Sequence, residues 1–482
     1  MKRVYTNSLF NLLKVLSTLI FPLISYSYAT HILEAENIGK VEFSRSIASY
    51  FVLLAMLGIV SYATREAALL KYDKEKLSRF THEILIINLL AVIISLILFF
   101  CLIFFFSNLY DYKLLLLINA ITVLLVPLGL EWLFAAMEDY AYISIRTIVI
   151  QMVSTVLILI LVKSKEDLYL YAFLHILSTV APNIINIIYS KKYIKWQYLG
   201  NYGISRHFSS VLLMFLVSIS VQIFSNLDTT MLGIMSGDKF VGYYVAATKM
   251  VNIVSSLLVA VITVLTPKIT VLVKKQDWEK IRAVSYRAID ILFMLSIPAA
   301  VGLFVLSKSL ILIFSGESFL LGNTAAKILS ARVILSPLNT FFIVQLFVSM
   351  KREKNNLFTT SIAAIVNIIF NFALIPQFVQ NGAAISTVLA ELIELLFNFY
   401  FVRHLLEHSR IVYSFTKYLI TSLSILILAV ILRITGSNDL TRIFIFITSS
   451  ASVYFIILYF LNDSSVLMIS NNIMRILKRK DT

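Results

Sequence analysis

The sequence is poor in charge and has only one cysteine. Of its 482 residues, 14% are charged and 59% are hydrophobic, whereas a typical soluble domain has about 25% charged and about 45–50% apolar residues. This composition excludes a water-soluble core. The single cysteine, Cys101, lies inside an apolar run. Because there is no second cysteine, an intramolecular disulfide and a metal site built from several thiolates are excluded within this sequence.

Signatures of enzymes and of ATP-driven transporters are also missing. The sequence has no Walker-type phosphate-binding loop, no Asp-x-Asp metal pair, and no polar break long enough to fold as a catalytic domain. Its six histidines form no metal-ligand pattern, and His175, inside an apolar run, is predicted to be packed or hydrogen-bonded. We therefore predict that the chain is not an enzyme and that it uses no cofactor or metal.

Long apolar runs dominate what is present. Runs of about 20 apolar residues, the length that crosses a hydrocarbon layer of about 30 Å, recur along the chain with short polar breaks between them. About 14 such runs predict an all-α polytopic membrane protein. The predicted spans are residues 10–32, 44–64, 83–106, 113–135, 141–162, 167–190, 207–230, 239–267, 284–307, 325–350, 357–378, 382–403, 413–433 and 440–461.

The net charge of +15 comes from lysines and arginines that concentrate in every second polar break. A nucleic-acid surface would instead gather them in one domain. Because positive loops resist translocation, the alternation predicts that both termini are cytoplasmic. The acidic break at Glu138 and Asp139 fits this orientation poorly. The basic breaks are Lys2 and Arg3, Arg65 to Arg79, Lys191 to Lys195, Lys274 to Arg282, Lys351 to Lys354, Arg403 to Arg410, and Arg475 to Lys480.

Two weak internal matches indicate a duplication. Residues 38–45 resemble residues 241–249, and Pro127-Leu128 resembles Pro337-Leu338, at shifts of about 203 and about 210 residues. Because each copy would hold six spans, an even number, both copies would start on the same side of the membrane as parallel repeats.

The duplication predicts the domain organisation. We expect one six-helix lobe over residues 1–205, a second over residues 206–404, and helices 13 and 14 with a basic cytoplasmic tail over residues 405–482. The substrate path is expected between the two lobes.

Basic residues inside the spans are candidates for substrate binding, because each charge costs roughly 2.5–3.5 kcal/mol on insertion unless it meets a partner, water or a ligand. Lys249 lies roughly 13 Å into its helix, and Arg45 has nearly the equivalent position in the other repeat. Together they would suit a diphosphate, since arginine offers a fork of donors and lysine a compact charge. Ion pairing of Arg45 with Glu42, or of Lys249 with Asp228, is the alternative.

Acidic residues are candidates for ion coupling or gating. Glu391 and Glu394 are three residues apart on one helix, where like charge would raise the proton affinity of one of them. A proton relay and pairing with basic groups on a neighbouring helix both fit this spacing. Asp228 and Glu66 are further candidates for ion coupling or gating.

Five motifs follow one another along most of the chain. They are Asn11 to Pro22 with Tyr28 and Ile38-Gly39; Leu57-Gly58-Ile59 with Tyr62 to Glu66; Glu131-Trp132-Leu133-Phe134 running to Glu138; Asp228 to Gly233 with Val241-Gly242-Tyr243; and Asn381 to Ala384 followed by Glu391. In their order and spacing, these motifs resemble those of the Wzx-type polysaccharide flippases of the multidrug/oligosaccharidyl-lipid/polysaccharide exporter superfamily. One departure is Ala135-Ala136, where a Gln-Gly pair is expected, and it concerns local helix packing.

The resemblance implies two six-helix lobes around a cationic cavity that exports undecaprenyl-diphosphate-linked oligosaccharides across the bacterial cytoplasmic membrane by alternating access. The product would serve O-antigen, capsule or exopolysaccharide synthesis. It implies Arg45, Arg146, Lys249 and Arg332 as cavity residues. Membrane lipids, the polysaccharide polymerase and the chain-length regulator are the implied partners. A drug or metabolite antiporter of the same superfamily and a membrane polysaccharide polymerase are the alternatives.

Overall fold

The computed structural model describes residues 2–200, 202–263, 265–432, 440–463 and 465–467, and every regular element in these ranges is a helix. Eleven of the described helices are long and apolar enough to cross a membrane, or twelve if the bent pair Glu317–Leu329 and Arg332–Val348 is one span. The predicted all-helical membrane fold is thereby confirmed. The side chains of Lys2 and Arg3 and the basic tail, Arg475 to Lys480, lie outside the described residues.

The chain forms two compact units, Met1–Gly242 and Tyr243–Thr482, which we call unit 1 and unit 2. The predicted lobes, with boundaries after residues 205 and 404, stay a prediction. The helices of unit 1 are α1 (Lys2–Met56), α2 (Ile59–Leu69), α3 (Lys74–Phe105), α4 (Lys113–Leu125), α5 (Glu131–Ala136), α6 (Tyr140–Leu161), α7 (Leu168–Tyr189) and α8 (Ser205–Ser236), followed by the start of α9 (Asp238–Thr263).

Helix α1 is interrupted near its middle. Its 55 residues would extend over about 80 Å as one straight helix, far more than one crossing of the bilayer requires. At Glu34 the backbone leaves the helical region, with φ 62° and ψ 179°. Lys165 Nζ lies 2.7 Å from Glu34 Oε1, so an ion pair fixes the interruption to the polar segment between α6 and α7.

Two glycines of the proposed repeat lie where α1 meets the start of α9. The Cα of Gly39 faces the backbone of Asp238, and the Cα of Gly242 faces the backbone of Ala35, both at distances that leave no room for a Cβ atom. Small residues allow transmembrane helices to approach closely, and close backbone packing replaces the hydrophobic effect as the attraction between helices in lipid. The two glycines therefore set the separation of these helices.

The acidic break between α5 and α6 lies beside basic residues of two other breaks. Lys71 Nζ is 3.3 Å from Glu138 Oε1, and Lys192 Nζ is 3.1 Å from Asp139 Oδ2. Burial raises the pKa of Asp139, but hydrogen bonds from Tyr193 and Lys192 outweigh it and hold that pKa below its ordinary value. The acidic break therefore lies on the same side of unit 1 as the breaks that carry Lys71 and Lys192.

Unit 2 continues α9 and contains one strongly irregular helix pair. Arg332–Thr340 runs directly into a π-helical segment, Phe341–Val348, where Gln345 donates from Nε2 to Thr266 Oγ1 at 2.8 Å. The helices of unit 2 after α9 are α10 (Thr266–Lys274), α11 (Trp278–Phe314), α12 (Asn323–Leu329), α13 (Arg332–Thr340), α14 (Glu353–Phe378), α15 (Gln380–Val402), α16 (His408–Ile431) and α17 (Leu440–Phe460).

The glycine contact predicts a selective loss of stability. We expect Gly242→Val to lower the thermal unfolding midpoint of the detergent-solubilised protein, because the new side chain would overlap the backbone of Ala35. Gly302→Val is the matched control, since a Cβ atom at Gly302 would meet nothing within 4 Å. Fluorescence-detected thermal unfolding measures both, and equal midpoints for the two variants would contradict the glycine contact.

Candidate functional site

A break between α4 and α5 organises the polar interior of unit 1. Helix α4 ends at Leu125, and the chain re-enters a helix at Glu131 after Leu130 adopts a left-handed conformation with φ 50°. Peptide groups exposed by such a break must find partners, because lipid offers none. Asn88 of α3 donates to the Pro127 carbonyl at 2.9 Å, and Asn186 of α7 donates to the Gly129 carbonyl at 2.5 Å.

Arg146 of α6 is joined to this break. Its side chain is 3% exposed, and Nη2 lies 3.1 Å from Glu131 Oε2. The guanidinium also donates to Asn186 Oδ1. Lys14 of α1 approaches the other oxygen of Glu131, with its Nζ 2.5 Å from Oε1. One half-exposed carboxylate thus pairs with two cations, which leaves the group with a net charge of +1, and the network ties α1, α5, α6 and α7 together.

Arg45 of α1 is the most exposed of the predicted arginines. Nη2 lies 2.6 Å from Glu42 Oε2, and 40% of the arginine side chain is exposed against 6% of the glutamate. Nη1 contacts His175 Nε2 at 2.8 Å, and the His175 ring stacks on Tyr171. The ion pair between Arg45 and Glu42, which was the alternative to a substrate contact, is present, and His175 is hydrogen-bonded as predicted.

In unit 2, Arg332 makes a comparable contact. Both Nε and Nη2 of Arg332 approach Glu391 Oε1, at 2.9 and 2.8 Å, and the two side chains are 15% and 4% exposed. Asn339 of the same bent segment donates to the Glu391 carbonyl at 2.9 Å and accepts from Asn398 at 3.0 Å. The pair therefore holds α13 against α15.

The other predicted residues are distributed over several helices. Glu394 accepts a hydrogen bond from Thr360 Oγ1 at 3.0 Å. Asp228 is buried in α8, and Lys249 is half-buried in α9. Glu66 pairs with its neighbour Arg65 at 3.6 Å near the end of α2. Within the described residues, no group of three His, Cys, Asp or Glu side chains could hold a metal ion.

A second buried network was not anticipated from the sequence. Glu83 of α3 is fully buried, and its carboxylate oxygens lie 2.5 Å from Arg206 Nη2 and 2.8 Å from His207 Nε2. The carboxylate also accepts a hydrogen bond from the Gly203 N–H at 2.7 Å. His207 in turn contacts the Tyr62 hydroxyl at 2.7 Å. These bonds fasten the segment before α8 to α2 and α3. Glu83 lies at the edge of an apolar run, which is the signal that could have revealed it.

The predicted resemblance is confirmed by comparison with protein families. Residues 4–273 match the family described as "Polysaccharide biosynthesis protein", and residues 213–373 match the MatE family. A "Putative O-antigen transporter" of Escherichia coli (strain K12) is 20% identical over 393 residues, 80% of this chain and 94% of that protein. The "Probable low-salt glycan biosynthesis flippase Agl15" of Haloferax volcanii is 25% identical over 241 residues, about half of each chain.

A solved structure shares the fold. "Lipid II flippase MurJ, inward closed conformation" superposes with a TM-score of 0.75 and 16% identity, covering 94% of this chain and 99% of that one. The match at such low identity concerns the fold alone. Because the family match spans more than half of the chain, this protein belongs to the polysaccharide biosynthesis protein family, a family of transporters and not of enzymes.

Proposed function

We propose that this protein is a flippase that moves undecaprenyl-diphosphate-linked oligosaccharide repeat units from the cytoplasmic to the outer leaflet of a bacterial cytoplasmic membrane. The observation that carries the proposal is the family match over residues 4–273. Transport proceeds by alternating access of two six-helix lobes. The product serves O-antigen, capsule or exopolysaccharide synthesis, and the polymerase and chain-length regulator act on the unit after it is delivered.

The four predicted cationic residues differ in side-chain exposure, and this difference decides which of them we assign to the substrate. Arg45 is 40% exposed and uses two of its nitrogens on Glu42 and His175, which leaves further N–H donors for phosphate oxygens. Lys249 is half-buried in α9 and supplies a second cation. We assign a diphosphate contact to Arg45 of unit 1, and Lys249 of unit 2 stays a predicted cation of the substrate path. Arg146 and Arg332, whose side chains are 3% and 15% exposed, are engaged in ion pairs, and we assign them the role of holding the helices on which the path is built.

In this proposal the acidic candidates couple transport to the movement of an ion or gate the path. Glu394 lies one helical turn from Glu391, whose charge is already balanced by Arg332, so Glu394 is free to exchange a proton during the cycle. Asp228 and Glu66 lie on α8 and α2 and are assigned to ion coupling or gating.

The topology we propose has fourteen spans with both termini in the cytoplasm. The described residues provide eleven candidate spans, and the bent pair around Arg332 adds one. Counting α1 as two spans on either side of Glu34 adds another, and the 32-residue helix α8 adds the last. The contacts of Glu138 and Asp139 with Lys71 and Lys192 support this topology, because they put the acidic break on the basic side.

A drug or metabolite antiporter is the second candidate function. The MatE match over residues 213–373 favours it. The net charge of +15 opposes it, because a cationic drug requires an acidic path.

Arg45→Ala is expected to abolish surface polysaccharide display and to leave the lipid-linked unit in the cytoplasmic leaflet, because the diphosphate loses its exposed guanidinium. The measurement is polysaccharide display together with leaflet-resolved quantification of the lipid-linked unit, in cells that have this protein as their only flippase. Arg45→Lys, which keeps the charge but not the fork, should retain part of the activity.

The control for this experiment is Lys280→Ala at equal membrane abundance, since Lys280 is 71% exposed and neither it nor its ion-pair partner Asp277 has a role in the proposed cycle. Full display in Arg45→Ala cells would reject the diphosphate contact. Normal display after deletion of the whole gene would reject the flippase itself, whereas loss of the lipid-linked unit on deletion would indicate an enzyme.

Arg332→Met is expected to lower the thermal unfolding midpoint more than Lys280→Ala, because it leaves the 4% exposed Glu391 without its cation, whereas Lys280 is 71% exposed and its partner Asp277 is 28% exposed. Removing one member of a buried pair costs about 3–5 kcal/mol. The double variant Arg332→Met with Glu391→Gln should recover much of the loss, since no buried charge remains. An unchanged midpoint in Arg332→Met combined with lost display would instead make Arg332 a substrate contact.

Cysteine labelling tests the orientation. In a Cys101→Ser background, Glu166→Cys and Glu317→Cys should react with a membrane-impermeant maleimide in intact cells, whereas Tyr72→Cys and Lys275→Cys should react only after the membrane is opened. All four positions are exposed in the structure, so accessibility to solvent does not differ between the two pairs. Labelling of all four in intact cells, or the reverse pattern, would contradict the proposed topology.

A further inference from the structure

A cleft of about 150 Å³ lies between α10 and α11 of unit 2, two helices that follow each other in the chain. The apolar part of its wall includes Leu265 of α10 and, from one face of α11, Val284 and Ile291. The polar part of its wall is one cation from each helix, Lys268 and Arg287. Such a wall suits a ligand that combines a negative charge with an apolar part.

Neither cation of the cleft is neutralised by the described part of the protein. Both side chains are exposed, and neither Lys268 nor Arg287 forms an ion pair or a side-chain hydrogen bond with a described residue. Asp290, which lies one helical turn after Arg287, instead accepts a hydrogen bond from Ser414 Oγ at 2.5 Å. A charge at a membrane costs free energy unless water or a ligand meets it. Two such cations in the wall of one cleft therefore indicate an anionic ligand.

The sequence places the cleft at the level of the lipid headgroups. Lys268 directly follows the predicted span 239–267, and Arg287 lies in the first turn of the predicted span 284–307. The segment from Lys268 to Arg287 carries six lysines and arginines against two acidic residues. Trp278, in the middle of this segment, is 44% exposed. Because tryptophan and cations favour the membrane–water interface, both cations of the cleft can reach the phosphate of a lipid.

The size and the lining of the cleft decide among anionic ligands. Its volume is about half of the roughly 300 Å³ at which small-molecule sites begin, so it holds only part of a ligand whose remainder lies along the protein surface. A lipid in a bilayer meets this condition, whereas a soluble phosphate would leave the apolar wall uncovered. No neutral polar side chain of the described residues lines the cleft, so the sugars of a lipid-linked oligosaccharide would find no hydrogen-bonding partner there.

We propose that this cleft binds an anionic phospholipid of the leaflet on the side of the α10–α11 break. Lys268 and Arg287 hold the phosphate, and part of an acyl chain lies against Leu265, Val284 and Ile291. The phospholipid is a bound component of the protein and not its cargo, so the site goes beyond the proposed transport cycle and does not depend on it.

The test is native mass spectrometry of the purified full-length protein, titrated in detergent with dioleoyl-phosphatidylglycerol or with zwitterionic dioleoyl-phosphatidylcholine. Wild type should bind phosphatidylglycerol more tightly than phosphatidylcholine. The double variant Lys268→Ala with Arg287→Ala should bind phosphatidylglycerol about 25-fold more weakly, because each cation near an anionic lipid contributes about 5-fold. Equal affinities of wild type for the two lipids would overturn the site.

The matched control is Arg352→Ala with Lys354→Ala, which removes one arginine and one lysine from exposed positions outside the cleft, at the start of α14. This control should bind phosphatidylglycerol as wild type does. Equal weakening in the two double variants would show a general attraction of the basic surface for anionic lipid and would overturn the site.

A third variant, Ala283→Phe, fills the cleft and keeps both cations. Ala283 lines the cleft and is exposed, so the new ring does not disturb the core. Weaker binding of phosphatidylglycerol by Ala283→Phe would support the acyl-chain contact, and unchanged binding would overturn it.

Two further probes separate the phospholipid from other anions. Displacement of phosphatidylglycerol by sodium glycerol phosphate would make the cleft a simple anion site and would overturn the proposal. Loss of undecaprenyl-diphosphate binding in Lys268→Ala with Arg287→Ala, with phosphatidylglycerol binding unchanged, would overturn it in favour of a substrate contact. Retention of phosphatidylglycerol against both competitors, together with its loss from the double variant, would support the phospholipid.

Discussion

The requirement that every peptide group and charge in hydrocarbon find a partner inside the protein governs the interior of this molecule. The interruption of the chain between α4 and α5 frees carbonyl groups at Pro127 and Gly129, and two asparagines from different helices occupy them. Asn186 also receives the guanidinium of Arg146, so the same side chain serves the backbone and the charge. A break in one helix thereby fixes the positions of its neighbours α3, α6 and α7.

Both units use an ion pair between an arginine and a glutamate to hold an irregular segment in place. In unit 1 the glutamate is half-exposed and shared with Lys14, whereas in unit 2 Glu391 is buried and receives two nitrogens of Arg332. The arginine of each pair is therefore engaged by a glutamate of its own unit. Under the flippase proposal this leaves the contact with an anionic substrate to cations with more exposure, of which Arg45 is the clearest in unit 1.

The sequence predicted the helical class and most spans, because apolar runs report directly on the lipid that surrounds them. The span predicted over residues 113–135 includes the α4–α5 break, which apolarity cannot reveal because Leu130 is apolar in any conformation. The partners of the charges were harder to foresee: Lys14 is 117 residues from Glu131, and only the fold brings them together. The acidic break at Glu138 and Asp139 conflicted with the positive-inside pattern for the same reason, because its cations belong to other breaks.

A carrier of a lipid-linked sugar has to hold its load firmly enough to select it and loosely enough to release it. Charge alone serves this badly, since a diphosphate in a dry cationic site is bound strongly and is common to every lipid-linked unit. Neutral hydrogen bonds are individually weak and depend on geometry, so they add selectivity at little cost to release.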